Sequence, residues 1–152
     1  MTKKLLFVCT GNTCRSPLAA ALAAAALMAA GCNEWAVDSA GLAASSCSTV
    51  SIGSRDAAAE LGLNLSSHAA KPLTPALLAD ATLVLVMTKS HKETILRDRP
   101  QLLEKVFTLT EFVGEDGDVS DPFGGSQELY RQMALQLRLL MRCVVENLRK
   151  EV

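Results

Sequence analysis

The sequence predicts an α/β fold, a three-layer sandwich in which a four-stranded parallel sheet lies between two layers of helices. Two observations carry this prediction. Short apolar segments alternate along the chain with segments whose apolar residues recur at helical spacing, and such alternation is typical of parallel strands joined by covering helices. The chain has 152 residues, of which 49% are hydrophobic, enough for one core. We therefore expect a single domain over residues 1–152.

The first helix has the clearest predicted boundaries. Residues 17–30 are rich in alanine and leucine, which are strong helix formers, and Gly31 follows as a helix end. The hydroxyl of Ser16 is expected to accept a free N–H group of the first turn, and Pro17 fits the first helical position. The helix is therefore expected to begin directly after Ser16.

The remaining elements follow from the same periodicities. Apolar segments predict strands at residues 4–9, 35–39, 82–87 and 105–109. Helices are predicted at residues 55–61 before Gly62, after the cap formed by Thr74 and Pro75, and at residues 89–97 and 128–149. In the last helix, the residues expected to face the core are Leu129, Met133, Leu137, Leu140, Met141, Val144 and Leu148.

The first predicted strand ends in a cysteine, and a short loop joins it to the first predicted helix. Cys9 ends that strand, Gly11 allows a tight turn, and Arg15 lies just before the helix. Free N–H groups at a helix start bind tetrahedral anions, and an arginine can hold two phosphate oxygens at once. The same positive field favours the nucleophilic thiolate of Cys9, to which Ser16 is placed to donate a hydrogen bond. The loop therefore predicts an activated cysteine that faces a bound phosphoryl group.

A candidate general acid lies in the long irregular stretch at residues 113–125. Asp121 precedes a proline there. Transfer of a phosphoryl group to a cysteine expels a leaving group that needs a proton, and a positioned carboxylic acid typically contributes ~10²- to 10⁴-fold to the rate. We expect Asp121 to give its proton in the first step and to deprotonate water in the second. Glu115, Asp116 and Asp118 are interpreted as solvated loop acids.

These residues resemble the low-molecular-weight protein tyrosine phosphatase family. Its signature is a cysteine loop that ends in Arg-Ser near the N-terminus and an Asp-Pro pair far downstream, which correspond here to residues 9–16 and to Asp121 and Pro122. The resemblance implies the fold of that family, a phosphocysteine intermediate, phosphorylated protein substrates, and no metal or cofactor. It also implies a loop-supporting network of Asn12, Ser39 and His68. The substrate-binding residues that it implies are Thr10, Gly11, Asn12, Thr13, Cys14, Ser16 and Phe123.

Two positions depart from the tyrosine-specific pattern of that family. Tyrosine-directed members carry a large apolar residue where this loop has Thr13, and an aromatic pair where this chain has Phe123 and Gly124. A phenyl ring prefers apolar walls, whereas a guanidinium carries only N–H donors and needs acceptors around it. Together with residues 121–126, Thr13 resembles the bacterial protein arginine phosphatase branch. Phosphoarginine is therefore the expected substrate, with phosphotyrosine as the alternative.

The cysteines suggest a compartment and a redox role. The chain has five cysteines, an odd number, and their spacing shows no disulfide-scaffold pattern. We therefore expect the protein in the reducing cytoplasm. Cys14 is expected to capture oxidised Cys9 in a reversible disulfide. Arsenate reductases share the fold and the loop but need a later resolving pair, and no cysteine lies between Cys47 and Cys143. A phosphoprotein-binding module could lose Cys9 or Asp121, and both are present.

Composition and patterning argue against several other classes of function. The net charge of -1 and the lack of a basic stripe give no support for nucleic-acid binding, and no apolar stretch reaches membrane-span length. Asn12 and Arg15 interrupt the apolar N-terminal region, which argues against a secretory signal. His68 and His91 are the only histidines and no zinc-site spacing occurs, and His91 is interpreted as unrelated to the chemistry. We expect a monomer.

Overall fold

The computed structural model describes residues 2–150 and confirms the predicted parallel sheet. Its strands run in the order β2-β1-β3-β4. β1 is central, because it pairs in parallel with β2 on one side and with β3 on the other. The four strands are β1 (Lys3–Cys9), β2 (Trp35–Gly41), β3 (Leu83–Val86) and β4 (Val106–Thr108).

Helices cover both faces of the sheet, which gives the predicted three layers. α1 (Arg15–Ala29), α2 (Ile52–Glu60) and α6 (Gln127–Lys150) contribute to the core on one face. α3 (Pro75–Asp80) and α4 (Lys89–Asp98) contribute to the core on the other face. Within residues 2–150 no helix is long and apolar enough to cross a membrane.

Alternate side chains of β1 supply the two halves of the core. Leu5, Phe7 and Cys9 belong to the cluster beneath α1 and α6, whereas Leu6 and Val8 belong to the cluster beneath α3 and α4. Successive side chains of a strand point to opposite faces of the sheet, so a strand covered on both faces is a continuous apolar run. The Cys9 side chain accordingly lies on the α1 side, at the carboxyl end of the central strand.

The start of α1 differs from the sequence prediction. α1 begins at Arg15, its N-cap residue is Cys14, and among the described residues no side chain caps it. The hydroxyl of Ser16 is fully buried and accepts a hydrogen bond from Asn12 Nδ2 at 2.8 Å. The predicted capping role of Ser16 is therefore wrong, because the loop before the helix uses this hydroxyl for its own closure. Among the described residues, no acceptor bonds to the N–H groups of Arg15 and Ser16, which are therefore available to a ligand.

Two further boundaries differ from the prediction because local caps set them. α2 begins at Ile52, earlier than predicted, because the hydroxyl of Ser51 accepts the N–H of Ser54 at 3.4 Å. The fourth strand ends earlier than predicted, because Thr108 and Glu111 form a capping box that starts the short helix α5 (Leu109–Phe112). A 3₁₀ turn at Pro100–Leu102 is also present, which the periodicity did not predict.

The periodicity of α6 predicted its buried face correctly except at one end. Leu129 is 47% exposed, so its predicted place in the core is wrong. It lies in the first turn of α6, where the neighbouring Tyr130 is the residue buried in the core. The predicted residues that are buried are Met133, Leu137, Leu140, Met141, Val144 and Leu148.

The packing of α6 predicts a large difference between two nearby leucines. Leu137 is completely buried, whereas Leu139 is 59% exposed. We expect Leu137→Ala to lower the free energy of unfolding by about 2–5 kcal/mol, because it removes apolar contacts and leaves a cavity. Leu139→Ala is the matched control and should change it by less than about 0.5 kcal/mol. Urea denaturation measures both; equal losses would contradict the described packing.

Candidate active site

The loop between β1 and α1 forms a pocket at the carboxyl edge of the sheet. Parallel sheets bind ligands at this edge, and β1 ends there between two neighbouring strands. The pocket has a volume of about 210 Å³. It is lined by Cys9, Thr10, Gly11, Thr13, Cys14, Arg15, Asp121 and Phe123. The structure therefore brings the proposed nucleophile, arginine and acid into one small cavity, although Asp121 is distant in sequence.

The side chain of Asn12 holds the loop in shape. Asn12 has a φ of 56°, in the left-handed region that few residues other than glycine adopt. Its side chain is fully buried, and its Nδ2 donates to Ser16 Oγ at 2.8 Å and to Ser39 Oγ at 2.9 Å. Its Oδ1 accepts the N–H of Lys71 at 3.0 Å. Three hydrogen bonds to separate segments thus support an unusual backbone conformation.

Two residues from neighbouring segments complete this support. His68 Nε2 donates to the carbonyl oxygen of Asn12 at 2.7 Å. Gly41 ends β2 so close to the loop that a Cβ there would lie 2.7 Å from the Thr10 carbonyl oxygen and 2.9 Å from the Asn12 nitrogen. Only glycine fits such an approach. The predicted set of Asn12, Ser39 and His68 is therefore found in one network.

Cys9 and Arg15 meet the pocket from opposite ends of the loop. Cys9 Sγ lies 3.0 Å from Ser16 Oγ, within hydrogen-bond distance. The buried guanidinium of Arg15 donates through Nη1 to the carbonyl oxygen of Val119 at 3.0 Å. Its Nε has no hydrogen-bond partner among the described residues. A buried donor of this kind is available to an oxygen of a bound anion.

Asp121 stands at the rim on a segment that is anchored to the loop. Its Oδ2 lies 3.6 Å from Arg15 Nη2, and its side chain is 48% exposed. Its Oδ1 accepts the N–H of Phe123 at 3.1 Å. Val119 fixes the segment, because its N–H donates to the Met87 carbonyl at 2.9 Å and its own carbonyl accepts from Arg15. The ring of Phe123 forms an exposed wall of the pocket.

His91 is a site residue that sequence reasoning missed. Its Nε2 lies 2.9 Å from Thr10 Oγ1, and its side chain is buried. Burial, helped by the charge of Arg15, lowers the pKa of His91 to about 4 against the opposing effect of Asp118 and Asp121. From the sequence, His91 is interpreted as unrelated to the chemistry, and the structure places it in contact with the nucleophile loop. Its place just after the predicted third strand was a usable signal, because that strand ends at the same edge as β1.

Asp118 has a structural contact that its interpretation as a solvated loop acid did not include. Its Oδ1 accepts the backbone N–H of Lys89, the first residue of α4, at 3.0 Å. A carboxylate at a helix start is favoured by the free N–H groups there. Glu115 and Asp116 are exposed, as expected. Asp118 therefore ties the acid-bearing segment to α4.

The cysteines are free thiols, and Cys14 is buried beside the pocket. The thiol of Cys14 donates to Ser51 Oγ at 3.2 Å. Within the described part of the chain, residues 2–150, no group of three or more histidine, cysteine or acidic side chains could hold a metal ion.

The environment of His91 predicts a pH-dependent stability. Its pKa is about 4 in the folded state, against an ordinary value of 6.5, so the unfolded chain binds the proton more readily between these values. Stability is therefore lost as the pH falls below 6.5. Relative to the non-titrating His91→Gln, we expect wild type to lose about 1–2 kcal/mol of unfolding free energy between about pH 7.5 and about pH 5. Parallel urea titrations at both pH values measure this, and identical pH dependences in the two proteins would refute it.

Comparison with known proteins adds independent findings. The model of the family described as low molecular weight phosphotyrosine protein phosphatase matches residues 4–152. The chain is 43% identical over 148 residues to a protein-arginine-phosphatase of Bacillus subtilis, covering 97% of each. It is 41% identical over 152 residues to a protein-arginine-phosphatase of Geobacillus stearothermophilus, covering 99% of each. A solved structure of the YwlE arginine phosphatase, a cysteine-to-serine mutant with a phosphorylated active-site serine, superimposes with a TM-score of 0.92 at 42% identity, covering 97% of this chain and 96% of that one.

Proposed function

Since the chain belongs to the low molecular weight phosphotyrosine protein phosphatase family and is a cysteine-dependent protein phosphatase, we propose that it removes the phosphoryl group from phosphoarginine residues of proteins. The observation that carries this proposal is the pocket itself. Thr13 and Asp121 line this pocket together with Cys9, and Phe123 is the only aromatic residue among the described ones that line it. Both relatives described above are named as arginine phosphatases.

In the first chemical step, Cys9 Sγ attacks the phosphorus of the substrate. The bond from phosphorus to the guanidinium nitrogen breaks as the bond from sulfur to phosphorus forms. The backbone N–H groups of the loop and Arg15 hold the equatorial oxygens, over which the negative charge spreads. Asp121 donates its proton to the departing nitrogen, so the arginine leaves as a guanidinium. Two observations support these roles. Arg15 Nε has no partner among the described residues and can bond a phosphate oxygen, and Cys9, Arg15 and Asp121 line one pocket.

In the second step, water hydrolyses the phosphocysteine. Asp121, now a carboxylate, takes a proton from the attacking water as the new bond from oxygen to phosphorus forms. The bond from sulfur to phosphorus breaks, which releases inorganic phosphate and regenerates the Cys9 thiolate. Ser16 Oγ, 3.0 Å from the sulfur, stabilises that leaving thiolate by donating a hydrogen bond.

Selectivity for phosphoarginine rests on acceptors near the phosphate cup. A guanidinium carries several N–H donors and no acceptor. Thr13 and the half-exposed carboxyl group of Asp121 line the pocket. The threonine hydroxyl is an acceptor, and the carboxyl group keeps an acceptor oxygen even when it is protonated for the first step. A phenyl ring would leave these polar groups without partners, and a site built around such groups discriminates against ligands that cannot pair with them. The exposed ring of Phe123 offers a flat face on which a planar guanidinium can stack.

The remaining expectations concern the protein as a whole. Residues 1–152 act as one phosphatase domain that works as a monomer in the reducing cytoplasm. Cys14 protects the nucleophile by forming a reversible disulfide with Cys9 after its oxidation. The support is that both thiols are free and buried in one short loop.

Catalysis is tested by substitutions of the nucleophile and the acid. We expect Cys9→Ser to abolish hydrolysis of para-nitrophenyl phosphate in metal-free buffer, because the thiolate is the attacking group. Asp121→Asn should lower the rate by about 10²- to 10⁴-fold, with the larger loss for poor leaving groups. Steady-state assays with chelator measure both. Persistent turnover by Cys9→Ser would overturn the mechanism.

Selectivity is tested with matched phosphopeptides. We expect kcat/KM for a phosphoarginine peptide to exceed that for a phosphotyrosine peptide of the same flanking sequence. Thr13→Ile should lower the ratio by about tenfold, because a wholly aliphatic side chain replaces one with a hydroxyl acceptor. Thr13→Val replaces the hydroxyl with a methyl group in a side chain of the same shape, so it separates the effect of polarity from that of size. A wild type that prefers phosphotyrosine would replace the proposal with the tyrosine alternative that the family description carries.

A further inference from the structure

The first turn of α4, residues 88–91, contacts both halves of the active site. It reaches the nucleophile loop through His91 and the acid-bearing segment through the backbone of Lys89. We propose that this turn fixes the position of the nucleophile loop relative to the acid-bearing segment. His91 is a positioning residue for the loop, and Asp118 is a positioning residue for Asp121. The proposal rests on the phosphocysteine mechanism above but not on the choice between phosphoarginine and phosphotyrosine.

The loop side of this arrangement depends on Thr10. Thr10 directly follows the nucleophile, and its carbonyl oxygen accepts the N–H of Ala43 at 2.8 Å. Its hydroxyl lies 2.9 Å from His91 Nε2. The residue is therefore held from both sides, by its backbone toward β2 and by its side chain toward α4. The Cys9 carbonyl oxygen likewise accepts the N–H of Leu42 at 2.9 Å. Loss of the His91 contact therefore frees the Thr10 side chain, which lines the pocket, and leaves this part of the loop held by its backbone bonds alone.

The acid side depends on two adjacent residues that precede Asp121. Asp118 accepts the N–H of Lys89 at 3.0 Å, and Val119 is bonded to Met87 and Arg15 through its backbone. Ser120 alone separates Val119 from Asp121 in the sequence. Asp121 therefore lies two residues beyond a segment that is hydrogen-bonded to the junction of β3 and α4.

The first turn of α4 is held by a cap of its own. The hydroxyl of Thr88 accepts the N–H of His91 at 3.1 Å, which caps α4 and fixes the backbone that carries the imidazole. Arg15, Asp118 and Asp121 are the charged groups that act on His91, and burial with Arg15 lowers its pKa to about 4. The ring is accordingly neutral at neutral pH, where its Nε2 can hold the Thr10 hydroxyl without adding charge beside Arg15.

The experiment compares leaving groups, because the two sides of the turn affect different parts of the first step. Values of kcat/KM are measured for aryl phosphates with good and poor leaving groups, using His91→Phe, His91→Gln and Asp118→Asn. We expect His91→Phe to lower kcat/KM by about tenfold for both classes equally, since a loop with one restraint fewer positions its oxyanion donors less precisely whatever the leaving group is. His91→Gln keeps a polar tip that can reach Thr10 and should recover most of the loss.

Asp118→Asn should instead give a loss that grows as the leaving group becomes poorer, because a misplaced Asp121 matters most when protonation is needed. Glu93→Gln, an exposed change further along α4, is the control and should leave both values unchanged. Thr10→Val removes the same hydrogen bond from the other partner and should match His91→Phe, which covers the case in which that variant does not fold.

Three results would overturn the proposal. One is wild-type kcat/KM in His91→Phe or in Thr10→Val, and another is an additive loss when these two changes are combined. The third is a loss in Asp118→Asn that is independent of the leaving group. Aryl phosphates carry no guanidinium, so a failure of phosphoarginine selectivity would appear only in the peptide assay. A failure of the cysteine mechanism would appear as an active Cys9→Ser.

Discussion

The buried amide of Asn12 is the constraint on which the site depends. Asn12, in the middle of the nucleophile loop, has a backbone φ of 56° although it is not a glycine. This conformation costs free energy and persists only where the surrounding structure enforces it. The amide enforces it by joining Ser16, Ser39 and the backbone of Lys71. The loop shape in turn sets where the N–H groups point and keeps Ser16 beside the sulfur of Cys9. A phosphate cup is thus built from hydrogen bonds made before any ligand binds.

The order of the strands explains why these partners are available. β1 is central, so the nucleophile loop emerges between the carboxyl ends of β2 and β3. β2 contributes Ser39 and the glycine that allows close approach, whereas the turn after β3 contributes His91. Each neighbouring strand therefore supports the loop from its own side, and the acid-bearing segment closes the pocket through Val119 and Arg15.

Local patterns predicted the elements well and the contacts between them less well. The strands and the long amphipathic α6 follow from periodicity, and the pairing of the Cys9 loop with Asp121 follows from the resemblance to a family that carries both motifs. Ser16 failed as a cap because its hydroxyl is used by Asn12, and Leu129 failed as a core residue because Tyr130 takes the buried position in the first turn of α6. His91 and Asp118 bond to residues distant in sequence, and no periodicity in one chain encodes such pairings.

The central claim is that Cys9 carries the phosphoryl group taken from phosphoarginine. The most direct measurement is a rapid acid quench of enzyme mixed with excess phosphoarginine peptide, followed by mass spectrometry of the protein digest. The account predicts that one phosphoryl group appears on the fragment that contains Cys9 and decays as free phosphate is released. Turnover of the peptide with no phosphorylated Cys9, or with the phosphoryl group on another side chain, would contradict it.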